Sequence, residues 1–205
     1  MKILVCITHV PDTTSKIQFT ANNTKFDPTG VQFIIGPYDD YALARAVELR
    51  DQTGGTLTAL NVGEAETEPT LRKALAIGAD DAIRVNSFPK DSFFVAKQIA
   101  QVAKDGGYDL ILMGRESIDF NGGMVHGMVG ELLGMPSFSP VMKLDLEGTT
   151  VKMAREIEGV KSLTKKPFGV DLLTALPHTL ERDVDLIIKS GARVFVAGLG
   201  VPRDI

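Results

Sequence analysis

The stretch DLILMGRESIDFNGGMVHGMVGELLG, Asp109 to Gly134, decides the fold class. Asp109–Met113 reads as a compact apolar strand. Gly114–Gly123 is a polar loop that carries Arg115, Glu116, Ser117, Asp119 and Asn121 and closes on Gly122 and Gly123. Met124–Leu133 returns to small and apolar residues at helical spacing, and Gly134 stops it. A strand, a polar glycine-containing loop and a helix in that order present backbone N–H groups at a helix N-terminus, where they suit a phosphate. The loop is the candidate holding site for an adenine nucleotide or its flavin relative. The rest of the chain is expected to supply the sheet beneath it.

Toward the N-terminus the alternation of strand and helix repeats. Ile3–Ile7 is a continuous apolar run, as in a central strand of a parallel sheet buried on both faces. Its polar exit, Thr8 to Asp12, is a candidate ligand wall, because ligands of open α/β sheets lie beyond the carboxyl ends of strands. Thr13–Gly30 reads as a surface excursion with a short hairpin: Lys16–Thr20, a turn at Asn22–Asn23, then Lys25–Phe26. Val31–Ile35 follows. Gly36-Pro37-Tyr38-Asp39-Asp40 opens a helix, with Pro37 at its start and Asp39 and Asp40 in its first turn. That spacing predicts a helix over Tyr41–Asp51 with Tyr41, Ala42, Ala46 and Leu49 toward the sheet. GPYDD is either a plain capped start or a second set of backbone donors near the nucleotide. Thr56–Val62 is the next strand. Glu66–Ile77 is a helix with Thr67 as cap and Ala74 and Leu75 interior. Ala82–Val85 is a strand and Asp91–Lys104 a helix.

Beyond Gly134, Ser139–Leu146 and Thr150–Ile157 read as two strands turned at Glu147-Gly148. Val170–Leu176 is apolar, and a helix over Asp183–Lys189 with a strand over Ala192–Val201 is expected after it. The whole order implies a parallel sheet with right-handed crossovers and helices on both faces.

Composition removes several classes. With 205 residues, 44% hydrophobic and 23% charged, the chain carries a net charge of −4, so no basic face for nucleic acid is expected. A single cysteine, Cys6, excludes an internal disulfide framework and fits a reducing, cytoplasmic compartment. MKILVCITHV is too short for a signal peptide, and no apolar run approaches membrane-spanning length. The nicotinamide-dinucleotide fingerprint, the P-loop, the zinc-protease helix and the nucleophile elbow are missing. His9, His126 and His178 are the only histidines, so a zinc site is not expected. A nucleotide-sized site without an evident nucleophile or base favours holding or electron carriage over bond making.

Each loop residue has two explanations at this level. Arg115 either pairs with a phosphate through its planar fork or is a surface residue paired with Glu116. Asp119 accepts from a ribose hydroxyl or closes the loop. Asn121 holds the turn. Gly122 and Gly123 permit either a ligand's approach or positive φ. Met124, Met128 and Leu132, four apart, read as core.

Taken in order, five blocks resemble the beta subunit of electron transfer flavoprotein, a group that includes the nitrogen-fixation-associated flavoproteins. They are ILVCITHVPD, GPYDDYALARAVEL, LRKALAIGADDAIRV, GRESIDFNGGMVHGMVGELLG and AREIEG (Ala154–Gly159). Thr8 stands where the family often has Lys, Gly36 where it usually has Asn, and Met124 where Gln is usual. From Val160 to Ile205 the family pattern stops.

The resemblance implies a nucleotide-binding α/β domain over 1–159 with a divergent or shortened segment over 160–205. The fold implied is a three-layer parallel sheet of the adenine-nucleotide alpha-hydrolase type. It further implies a heterodimer with an alpha subunit that holds FAD, and AMP or a second FAD in this subunit. By position, the site would comprise Cys6, Gly36, Pro37, Tyr38, Asp39, Val62 and the loop Gly114, Arg115, Glu116, Ser117, Asp119, Asn121, Gly122, Gly123, Met124 and Val125. Cys6 would serve packing and not nucleophilic chemistry. Electrons would pass between partner dehydrogenases, such as acyl-CoA dehydrogenases, and the respiratory chain or another acceptor. The alternative is a stand-alone adenine-nucleotide-binding protein of the universal-stress-protein type. That class usually has a different glycine loop, G-x-x-G followed by G-[ST].

Overall fold

A computed structural model describes residues 1–20, 22–148, 150–155, 169–173, 189 and 194–198. The chain divides into two compact units, Met1–Ser139 and Pro140–Ile205. In chain order the first unit contains β1 (Lys2–Cys6), β2 (His9–Pro11), β3 (Phe33–Ile35), α1 (Pro37–Thr53) and β4 (Thr56–Val62). A single 3-10 turn (Ala65–Thr67), α2 (Glu68–Ile77), β5 (Asp81–Val85), α3 (Ser92–Gly106), β6 (Leu110–Met113) and α4 (Val125–Leu133) complete it.

Four strands form one parallel sheet in the order β5-β4-β1-β6. β1 is central, and its apolar run is buried on both faces: Ile3, Leu4 and Val5 have no exposed surface. Alternate residues serve opposite faces. Leu4 and Cys6, with Leu60 and Val62 of β4, pack against Ala96, Ile99 and Ala103 of α3 and Val129 of α4. Ile3 and Val5 point the other way, where α1 lies against the sheet. The flanked parallel sheet expected from the sequence is present.

Local chemistry sets the ends of the helices. Pro37 starts α1 after Gly36, and Gly54 ends it in the left-handed conformation at φ 62°. Asp91 caps α3 by accepting the Phe94 N–H at 2.7 Å. At the foot of the sheet Asp80 accepts the Leu57 N–H at 2.8 Å and pairs with Arg50, joining α1, β4 and the entry to β5.

Two helix faces differ from expectation. Tyr41 is 76% exposed, and the buried stripe of α1 is Leu43, Ala46 and Leu49. A residue two places from Leu43 lies ~200° round the helix and cannot share its face. In α2, Thr70, Leu71 and Ala74 are buried, while Leu75, ~100° on from Ala74, falls past the edge of that stripe and is 40% exposed. Met124 and Leu132 are likewise exposed, not core. The Thr67 hydroxyl makes no cap bond to α2 and donates instead to the Glu64 carbonyl.

The excursion after β1 is tied back to the domain. β2 pairs antiparallel with β3, with His9 opposite Ile35. Phe19 and Phe26 bridge across the expected hairpin, whose Asn23 has φ 53°. The His9 ring stacks on Phe33 with centroids 4.3 Å apart, and its Nδ1 lies 2.7 Å from the Thr70 hydroxyl of α2.

In the second unit, β7 (Val141–Glu147) and β8 (Thr150–Arg155) form an antiparallel hairpin with Gly148 at φ 61°. β9 (Gly169–Leu173) and β10 (Val194–Gly198) pair in parallel. The boundary expected near residue 160 lies outside the described residues, as does the helix expected over 183–189 apart from Lys189. No helix among the described residues is long and apolar enough to cross a membrane.

Truncating a core side chain should separate the two faces of α1. Leu43→Ala is expected to cost about 2–5 kcal/mol and Tyr41→Ala no more than about 0.5 kcal/mol, read from urea unfolding midpoints. Equal costs would contradict the buried stripe. Burial holds the His9 imidazole below its ordinary 6.5, with Glu66 opposing the shift. As pH falls, the unfolded chain therefore takes up this proton first. The contribution of His9 to stability is complete above its ordinary value and is lost as pH falls through it toward the folded value. His9→Gln should flatten the pH dependence of the unfolding free energy on the acid side of 6.5.

Candidate functional site

The carboxyl ends of β1 and β6 are joined by one side chain from the first turn of α1. Asp39 is 3% exposed. Its Oδ2 accepts the Thr8 N–H at 2.8 Å and the Thr8 hydroxyl at 2.6 Å, and its Oδ1 accepts the Gly114 N–H at 2.9 Å. Burial pushes this carboxyl above the ordinary carboxylate range, although the bonds from Thr8 and Gly114 pull it down. Two glycines make the approach possible. A Cβ on Gly114 would strike Asp39 Oδ1 and come within 2.9 Å of the Asp39 nitrogen. A Cβ on Gly36 would strike the Thr8 hydroxyl and stand 2.5 Å from Asp39 Oδ2. Gly36 and Thr8, both departures from the family pattern, are thus steric partners.

Gly114 leads into the loop. The Arg115 guanidinium lies over the Tyr38 ring, 5.3 Å from its centroid, and its Nη2 is 3.3 Å from Glu116 Oε2. Ser117 N–H donates to the Gly122 carbonyl at 3.1 Å, which closes the loop on itself. Asp119 Oδ1 accepts from the Ser117 hydroxyl and from the Phe120 N–H at 3.0 Å. Asp119 therefore braces the loop through that oxygen. Asn121 carries φ 55°, a left-handed position that Asn tolerates better than most residues. Gly123 has its missing Cβ 3.4 Å from the Arg115 carbonyl, so the two ends of the loop run close together.

The loop delivers the chain to α4. Met124 occupies the cap position, is 60% exposed and makes no side-chain cap bond. The first turn, Val125, His126 and Gly127, therefore has N–H groups without a side-chain acceptor at the cap. Nothing lies within 4 Å of where a Gly127 Cβ would stand, so the flank of that turn is open at Gly127. Cys6 and Val62 are buried in one apolar cluster, and Val125 packs against it. Burial, with Asp39 nearby, pushes the Cys6 thiol far up, so no thiolate is available.

The structure thus brings the expected residues together in two groups. Gly36, Tyr38 and Asp39 meet Gly114 and Arg115, while Cys6 and Val62 sit under Val125. Thr8 is the residue whose part is not evident from local pattern. Its signal was a polar residue directly after an apolar strand. Asn61 is another: it is buried in β4 and donates to the Ile7 carbonyl at 2.8 Å, and the only clue is an Asn inside an apolar strand. Two grooves lie away from the loop. One of about 640 Å³ includes Lys2, Thr56, Asp80 and Tyr108 at the amino ends of the strands. One of about 400 Å³ is lined by His9, Phe33, Pro69 and Lys73. Neither includes a residue of the loop. No group of three or more metal-ligating side chains occurs among the described residues.

Comparison with known proteins is consistent with this geometry. The family model "Electron transfer flavoprotein domain" matches residues 24–192. The electron transfer flavoprotein subunit beta of Bacillus subtilis is 36% identical over 78% of this chain and 63% of its own length. That of Thermoanaerobacterium thermosaccharolyticum is 33% identical over 86% and 68%. Protein FixA of Azorhizobium caulinodans is 34% identical over 85% and 66%. The chain spans about two thirds of the length of these relatives. With a family match over most of its residues, and the strand, glycine loop and uncapped helix in place, the chain belongs to the electron transfer flavoprotein family, among the beta subunits and FixA proteins.

Proposed function

We propose that this chain is the beta subunit of an electron transfer flavoprotein, an electron carrier without a bond-making active site of its own. The observation that carries the reading is the start of α4. It lies after the glycine loop at the carboxyl end of β6, with no side-chain cap and an open flank at Gly127. Such a turn accepts an oxyanion through its N–H groups and dipole. The donor set fits the phosphate of AMP or the pyrophosphate of FAD. Gly122, Gly123, Met124 and Val125 would bring backbone to the ligand, and Arg115 would turn from Glu116 to the phosphate. Glu116, Ser117, Asp119 and Asn121 hold the loop in shape. Tyr38, on α1 beside Arg115, would flank the site, with Gly36, Pro37 and Asp39 setting its wall and Cys6 and Val62 its apolar floor. A flavin held across the heterodimer supplies one- and two-electron chemistry; the protein's part is position and exclusion of water.

The same reading places an alpha subunit as permanent partner and dehydrogenases as electron donors or acceptors. It extends the nucleotide-binding domain of the adenine-nucleotide alpha-hydrolase type to about residue 159, where the family pattern stops. The cytoplasm suits a chain whose one cysteine is a free buried thiol.

Co-expression with an electron transfer flavoprotein alpha subunit should give a yellow heterodimer. Acid release should yield one FAD with one AMP, or two FAD. A lone chain that stays apart, stays colourless with added FAD and binds ATP tightly would instead identify a stand-alone nucleotide-binding protein. In the heterodimer, Arg115→Ala should weaken the nucleotide held by this subunit by about tenfold to about a hundredfold, the worth of a charge-assisted bond. Its thermal midpoint without nucleotide should hardly move, since Arg115 is a surface residue.

A further inference from the structure

Thr8 N–H, Thr8 hydroxyl and Gly114 N–H converge on one point at the carboxyl ends of two adjacent parallel strands. These are the donors that an oxyanion takes. In this chain the oxyanion is internal: the Asp39 carboxylate receives all three bonds, at 2.8, 2.6 and 2.9 Å. Gly36 and Gly114 close around it so tightly that neither position has room for a Cβ. We propose that Asp39 is a specificity-determining residue, a built-in anion that fills a carboxylate-sized oxyanion cradle between the exits of β1 and β6 and keeps other anions out of it.

The consequence is directional. A phosphate brought to this end of the sheet meets a filled cradle on the Thr8 side and a carboxylate charge behind it. The field of that charge is felt at Cys6, whose thiol it helps to push up. The open donors lie on the other side, at Arg115 and the first turn of α4. This consequence rests on the nucleotide reading above; the cradle itself does not. Asp39 thereby steers which end of a nucleotide faces β1, and the nucleoside is the part left to lie against the strand exits.

The cradle is testable with formate, an anion the size of the carboxylate removed, on the full chain. Asp39→Ala removes the internal anion and leaves the three donors, and Asp39→Asn keeps the shape and continues to fill the space. Thermal unfolding is followed in sodium formate and in sodium chloride of equal ionic strength, and the Thr8 and Gly114 amide signals are followed by NMR. Formate should bind Asp39→Ala about tenfold or more tighter than the wild type, as expected for regaining a charge-assisted bond. It should raise the midpoint of that variant selectively and shift both amide signals. Asp39→Asn and the wild type should show neither effect. An Asp39→Ala chain whose midpoint formate fails to raise, or whose Thr8 and Gly114 signals ignore formate, overturns the proposal. Failure of the nucleotide reading would appear separately, as a heterodimer without AMP or FAD.

Discussion

One buried carboxylate sets the geometry of the working end of this domain. Asp39 is in the first turn of α1, yet its bonds reach 31 residues back to Thr8 and 75 residues forward to Gly114. Burying a charge in an apolar interior is costly unless its lone pairs are met. Here three donors meet them, so the helix cannot slide along the sheet without exposing an unpaired carboxylate. The position of α1, the separation of β1 from β6 and the point at which the loop leaves β6 all follow from that constraint.

The parallel sheet does the complementary work. Its central strand is buried on both faces, so helices must cover both sides, and each crossover returns the chain to the same end. Every loop after a strand therefore opens at one edge. Thr8, Val62 and Gly114 stand together because they follow or end β1, β4 and β6. Among the loops, the one after β6 is braced internally by Asp119 and by the bond between Ser117 and Gly122. A self-supporting loop can present backbone donors without help from a ligand, which lowers the ordering cost of binding.

Sequence pattern made the main features of the first unit legible. Apolar runs at Ile3–Ile7 and Thr56–Val62, glycine stops, and the loop after Met113 all mark real elements, since burial on two faces leaves a strong signal. Helix faces were harder. Tyr41 and Leu75 are large and apolar enough to suit a core, but the buried stripes run through Leu43 on α1 and through Thr70, Leu71 and Ala74 on α2, and both side chains fall outside them. The start of α4 could be read from composition, while its missing side-chain cap at Met124 needed coordinates.

The sequence by itself determined the kind of domain, because alternating strand and helix periodicity with one glycine loop admits few arrangements of a parallel sheet. It also determined the family, through blocks whose order is more specific than any one of them. Only the tertiary structure decided what Asp39 does. Local pattern shows an acidic residue in a helix's first turn, suited to the dipole and nothing more. Its partners are distant in sequence and include two backbone N–H groups, which no side-chain pattern records. The packing of α1 against β1 and β6 turns that ordinary helix-start residue into the anion on which the site is built.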